Sequence, residues 1–117
     1  MSENPVADKS YSFALQIVEF YKQSTEGKYD KPLSKQLLRS GTSIGANINE
    51  AQYGQSKADF IAKLHIALKE TAETEYWLRL LRKSDYLDEK LYESLLSDCL
   101  ELKRILIASL NTAKENM

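Results

Sequence analysis

The chain has 117 residues, 43% of them hydrophobic and 28% charged, which is the balance of a folded globular chain and not of a disordered one. Its 16 basic and 17 acidic residues nearly cancel, which excludes a strongly basic nucleic-acid arm and an acidic tail. One cysteine and one histidine exclude a disulfide framework and an ordinary multi-ligand metal site within one chain. Only four glycines and two prolines are present, too few for the many tight turns of an all-β chain. Few, long elements are therefore expected. The opening stretch, MSENPVADKS, has no apolar core of a secretion signal, and no stretch approaches the roughly 18 apolar residues that span a bilayer. A cytoplasmic chain is the expectation.

Four periodic segments follow in chain order, at about 8–26, 32–54, 56–83 and 88–114. In the first, Ala14, Ile17, Val18 and Tyr21 recur at helical spacing, Asp8 or Ser10 is the expected cap, and Gly27 the stop. The second opens at Pro32, a favoured first helical position, and carries Leu37, Leu38, Gly41, Ile44, Gly45 and Ile48 as its inward stripe. Gly41 and Gly45 lie four apart inside this helix, where each costs about 1 kcal/mol against alanine. Close packing of a neighbouring helix is the preferred explanation, over a kink at a binding site. The third segment starts after Ser56, with Asp59 three residues on as a capping-box variant. Its seam is Phe60, Leu64, Ala67, Thr71, Thr74, Leu78 and Leu81, in steps of four and three. The fourth starts near Asp88, has Glu89 and Glu93 in its first turns, and carries Leu91, Leu95, Leu102, Leu106 and Leu110. Short connections make neighbours antiparallel. The expected fold is all-α: one domain, an antiparallel up-down-up-down four-helix bundle.

A bundle needs roughly one apolar stripe per helix, and this chain has more. Phe13 and Phe20 fall off the first stripe, Ile66, Trp77 and Leu80 off the third, Leu100 and Ile107 off the fourth. Such rows, exposed in a monomer, mark interfaces. Phe13, Phe20, Ile66, Trp77 and Leu80 are the candidate contacts of a homo-oligomer.

The first and last segments are net acidic and the middle two net basic. Antiparallel packing places Lys28, Lys31, Lys35 and Arg39 near Arg79, Arg82 and Lys83. These seven cations are the candidate nucleic-acid contacts. Glu26, Asp85, Asp88 and Glu89 at the same end weigh against them.

A di-iron bundle needs Glu-x-x-His on each of two helices, but Ala62 stands three residues before His65. Glu50, Glu70, Glu73 and Glu75 have no nucleophile–base pair or phosphate loop beside them. Glu75 reads as a buried partner of a basic or amide group, Asn47 or Asn49 on the second helix. Cys99 reads as a core thiol. No catalytic residue, metal, cofactor or small-molecule substrate is expected, and no enzyme.

The run Ser43-Ile44-Gly45-Ala46-Asn47-Ile48-Asn49-Glu50-Ala51, then Ser56-Lys57, Phe60, Ile66-Ala67-Leu68-Lys69-Glu70 and Glu73-Thr74-Glu75-Tyr76-Trp77-Leu78, resembles the bacterial 23S rRNA-intervening-sequence proteins. The resemblance runs from about Tyr11 to Leu106. Commoner members have Ala-Glu-Gly at Asn49-Glu50-Ala51 and Gly-Ser at Lys69-Glu70. It implies a ring-shaped homo-oligomer, a pentamer, of four-helix protomers. The related accessory variability protein of diversity-generating retroelements forms a similar ring and binds nucleic acid and a reverse transcriptase. That branch is basic, whereas this chain is at −1. Ser43, Asn47, Glu50, Phe60 and Glu75 match the family pattern, and the polar Ser43, Asn47 and Glu50 are expected to hold the second helix against its neighbours. The implied role is a noncatalytic scaffold or adaptor, with RNA or a nucleic-acid enzyme as partner; the alternative is direct RNA or DNA binding at the basic end.

Overall fold

The computed structural model describes residues 4–25 and 31–116. Among them are four helices and no strand: α1 (Pro5–Thr25), α2 (Lys31–Ala51), α3 (Lys57–Lys83) and α4 (Glu89–Glu115). α1 starts three residues earlier than its apolar pattern suggests. Asn4 caps it, its Oδ1 accepting from the Ala7 N–H at 3.1 Å, and Pro5 follows where no N–H is needed. Ser10, one of the expected caps, is buried inside the helix and donates to the Ala7 carbonyl. α2 ends at Ala51, before Gly54. Ser56 caps α3 as its sequence suggests, accepting from the Asp59 N–H. Gly27 and Lys28 lie outside the described residues.

Each helix packs on its neighbours in a cycle: α1 on α2, α2 on α3, α3 on α4, and α4 back on α1. The backbones of α1 and α3 make no close approach, so these helices stand on a diagonal, as do α2 and α4. Across α1–α2 and α2–α3, contacts pair rising numbers on one helix with falling numbers on the next. Ile17 meets Gly41 and Ser10 meets Gly45. Arg39 meets Glu73 and Glu50 meets Lys63. Thr71 meets Cys99. The assembly measures 49 × 26 × 20 Å, and its long dimension accommodates a 27-residue helix of about 40 Å.

The core joins Leu37, Ile44, Ile48, Leu64, Leu78, Leu81, Leu95, Leu102 and Leu106 with Phe13, Ile17 and Phe20. Two assignments change here. The inward row of α1 is Ser10, Phe13, Ile17, Phe20 and Ser24, while Val18 is exposed and Ala14 and Tyr21 only half-buried. Phe13 and Phe20 are spent inside the protomer and are not interface side chains. At the start of α3, Ile61 is buried and Phe60 half-buried, one residue out of the expected register. The rest of the α3 seam falls at its expected positions.

The α2 glycines face α1. A Cβ on Gly41 would lie 3.0 Å from Ile17 Cγ1, and one on Gly45 3.2 Å from Ser10 Oγ. α2 is unbroken through both, so close approach of two helices explains them.

Candidate functional site

Among the described side chains, the cations do not form one cluster. Lys31 opens α2 and Lys35 is exposed on it. One turn on, Arg39 turns to α3: Nη1 donates to Glu70 at 3.0 Å, Nη2 to Glu73, and Nε to Gln36 at 3.3 Å. Glu73 also accepts the Trp77 indole N–H at 2.9 Å. Arg39 is thus neutralised by two carboxylates across the α2–α3 seam. Arg79 points round the other side of α3, donating twice to its own-helix neighbour Glu75 at 2.9 and 3.1 Å. Arg82 donates to the Leu87 carbonyl at 3.3 Å and stands 3.9 Å from Asp85, a residue held at positive φ in the α3–α4 turn. Arg79, Arg82 and Lys83 line one cavity of about 550 Å³ with Asp85 and Tyr92. Three of the seven expected cations come together; Arg39 does not join them.

The carboxylates also divide. Glu70 and Glu73 share Arg39, Glu50 pairs with Lys63 at 2.9 Å, and Glu75 pairs with Lys103 of α4 at 3.3 Å as well as with Arg79. Burial pushes the Glu75 carboxyl up, but the hydrogen bonds from Arg79 and Lys103 outweigh it and hold it below its ordinary value. Its cross-helix partner is therefore a lysine on α4, not Asn47 or Asn49 on α2, because residue 75 lies on the side of α3 that faces α4. Among the described residues no group of three His, Cys, Asp or Glu side chains converges to hold a metal ion.

The motif residues of α2 act mostly within their own helix. Ser43 Oγ donates to the Arg39 carbonyl at 2.6 Å, and Asn47 Nδ2 to the Ser43 carbonyl at 2.8 Å. Only Glu50 reaches a neighbour. A further polar tie of α2 to α3 is buried and unforeseen: Thr74 Oγ1 donates to Ser40 Oγ at 2.9 Å. Ser40 and Thr74 stand opposite in an antiparallel register, and that register was the signal that could have found both this pair and Arg39–Glu73. Cys99 is fully buried, its thiol 3.4 Å from the Thr71 carbonyl. Burial pushes that thiol up to about 12, so it carries no thiolate nucleophile at neutral pH. His65 is exposed.

The remaining candidate surface is apolar. Tyr11, Leu15 and Val18 stand exposed along α1, with Ile66 and Tyr76 on α3 and Ile107 on α4. Trp77 and Leu80 are half-buried. Beside the α1 row runs a groove of about 550 Å³ between α1 and α2.

The sequence pattern of the 23S rRNA-intervening sequence protein family matches residues 2–108. The chain belongs to this family. A crystal structure of a protein of unknown function from the S23 ribosomal protein family, from Bacteroides thetaiotaomicron VPI-5482, is 52% identical in sequence. The likeness covers 90% of this chain and 97% of that one, with a TM-score of 0.87. No curated protein matches. Family membership accords with the run Ser43–Ala51 and the α3 pattern, and this 23S rRNA-intervening sequence family member shares its fold with a relative whose function is itself unknown. No helix among the described residues is long and apolar enough to cross a membrane.

Proposed function

We propose that the chain is a noncatalytic, homo-oligomeric scaffold or adaptor of the cytoplasm: a single-domain up-down-up-down bundle assembling as a pentameric ring, associated with RNA or a nucleic-acid enzyme. The observation that carries it is the row of large apolar side chains left exposed after the core is complete, Tyr11, Leu15 and Val18 on α1 and Ile66 and Tyr76 on α3. Opposed numbering across α1–α2, α2–α3 and α1–α4 supports the bundle topology, and family membership supports the ring and the link to RNA. Light scattering coupled to size exclusion tests the reading. A discrete mass of several times 13.4 kDa is expected. A monomer at micromolar concentration overturns it.

A second reading has its own observation, the cavity walled by Arg79, Arg82 and Lys83. Three cations around a concavity suit phosphate, and a ring repeats them about its axis. Structured RNA is expected to be retarded at about 50 mM salt and released as salt rises. Retardation that survives Arg82→Glu with Lys83→Glu removes this end as the contact.

A further inference from the structure

The cavity at the α3–α4 turn is lined by three cations, Arg79, Arg82 and Lys83, and by one carboxylate, Asp85. For bare phosphate that carboxylate is a defect, because like charges repel across a concavity. Its position is nonetheless fixed. The Asp85 N–H donates to the Arg82 carbonyl at 3.1 Å, and the Tyr86 N–H to the Leu81 carbonyl at 2.9 Å. Residue 85 sits at φ 65°, the left-handed region that glycine fills without strain. The Asp85 side chain is 91% exposed, and its Oδ1 stands 3.9 Å from Arg82 Nη1, beyond hydrogen-bond reach. Among the described residues no hydrogen bond reaches the Asp85 carboxylate, and no carboxylate pairs with Lys83. Arg79 directs Nε and Nη2 to Glu75, whereas Arg82 gives only Nη1, to the Leu87 carbonyl, and keeps its other donors.

The cavity therefore offers donors and an acceptor side by side. An occupant that satisfies both brings an anionic oxygen for Arg82 and Lys83 and a hydrogen-bond donor for Asp85, since a carboxylate accepts and does not donate. A phosphodiester has the oxygen and lacks the donor. A ribose supplies the donor as its 2′-hydroxyl, on the same nucleotide as the phosphate, and a deoxyribose does not. A carboxylate on a ribose hydroxyl is also the pairing that dinucleotide-binding folds use. We infer that Asp85 reads the sugar: its carboxylate accepts the 2′-hydroxyl of a ribonucleotide whose phosphate lies against Arg82 and Lys83, so this cavity takes RNA in preference to DNA. This rests on the phosphate-binding reading of the same cavity and adds which nucleic acid it takes.

Single strands of one sequence test it, as RNA, as 2′-O-methyl RNA and as DNA, each titrated with the full chain at about 50 mM salt and read by fluorescence anisotropy. RNA is expected to bind about tenfold more tightly than either of the others, the scale of one hydrogen bond to a charged group. DNA keeps the amino groups of its bases, so equal binding of RNA and DNA overturns the sugar reading. Asp85→Gly suits the backbone at this position and removes the carboxylate. It is expected to bind DNA more tightly than the unmodified chain does, and to bind all three strands alike. Asp85→Asn, close in size, is expected to narrow the RNA preference with helical circular dichroism unchanged. A preference that persists undiminished in both variants overturns the role of Asp85 and leaves phosphate binding standing. Binding of no strand, or binding untouched by Arg82→Glu with Lys83→Glu, overturns the phosphate reading along with it.

Discussion

Toward α2, helix α1 packs on missing side chains: Ile17 lies on Gly41 and Ser10 on Gly45, so the two helices meet at van der Waals contact. Toward α4 the same helix is tied by polar groups, Lys9 to Glu101 and Gln16 Nε2 to Asp98 at 3.2 Å. The first flank is dry and steric. Its dispersion contacts vanish with small displacements, and a methyl group at Gly41 or Gly45 would crowd Ile17 or Ser10. The second is wet and electrostatic, with Lys9 41% exposed, and water and salt screen it. Two seams of one helix thus differ in what they tolerate. The α2 flank is sensitive to atoms added or removed, the α4 flank to pH and ionic strength.

Breaking the dry flank has the largest expected effect. Ile17→Ala removes a fully buried side chain and is expected to cost about 2–5 kcal/mol in urea unfolding. Gly41→Leu overfills the same contact and is expected to cost about 1–3 kcal/mol. The two together are expected to cost less than their sum, since the space vacated by Ile17 receives the new side chain. Strict additivity would mean that the two residues do not share a contact.

The polar flank gives smaller effects. Gln16→Ala loses one partly buried hydrogen bond to Asp98, expected at about 1 kcal/mol in the same assay. Lys9→Ala is expected to leave the thermal midpoint unchanged in 0.15 M salt. Its signature is in titration. The hydrogen bond and charge of Lys9 hold the Glu101 carboxyl below its ordinary 4.5. Because the folded-state value is the depressed one, the contribution of this pair is present above pH 4.5 and is lost as pH falls through the lower, folded value. Carbon-13 NMR is expected to show Glu101 titrating below 4.5, and returning toward it in Lys9→Ala. An unmoved Glu101 would mean the seam is not held by this charge.

Most of the fold was legible because helical periodicity is local. The seams of α3 and α4 have a single dominant row, and Leu64, Ala67, Thr71, Thr74, Leu78 and Leu81 are all buried. The Ser56 cap and the packing role of Gly41 and Gly45 are local too. α1 was misread because it has two apolar rows. Ala14, Val18 and Tyr21 make one, Phe13 and Phe20 the other, and Ile17 belongs to both. Periodicity finds rows but does not say which one a neighbour covers. The candidate site was less legible for the same reason. Arg79 keeps Glu75, the acid four residues before it, which spacing shows, whereas Arg39 has no acid one turn away on α2 and crosses to Glu70 and Glu73 of α3.

What the amino-acid sequence determined by itself is the number of helices, their approximate ends, and the surplus of apolar side chains over what one core consumes, since each depends on spacing along the chain. Which of two rows on α1 is buried, which carboxylates Arg39 meets, and where the α1–α2 groove lies were decided only by tertiary structure. Those depend on how each helix is rotated about its axis, and that rotation is set by the combined packing of two neighbours at once.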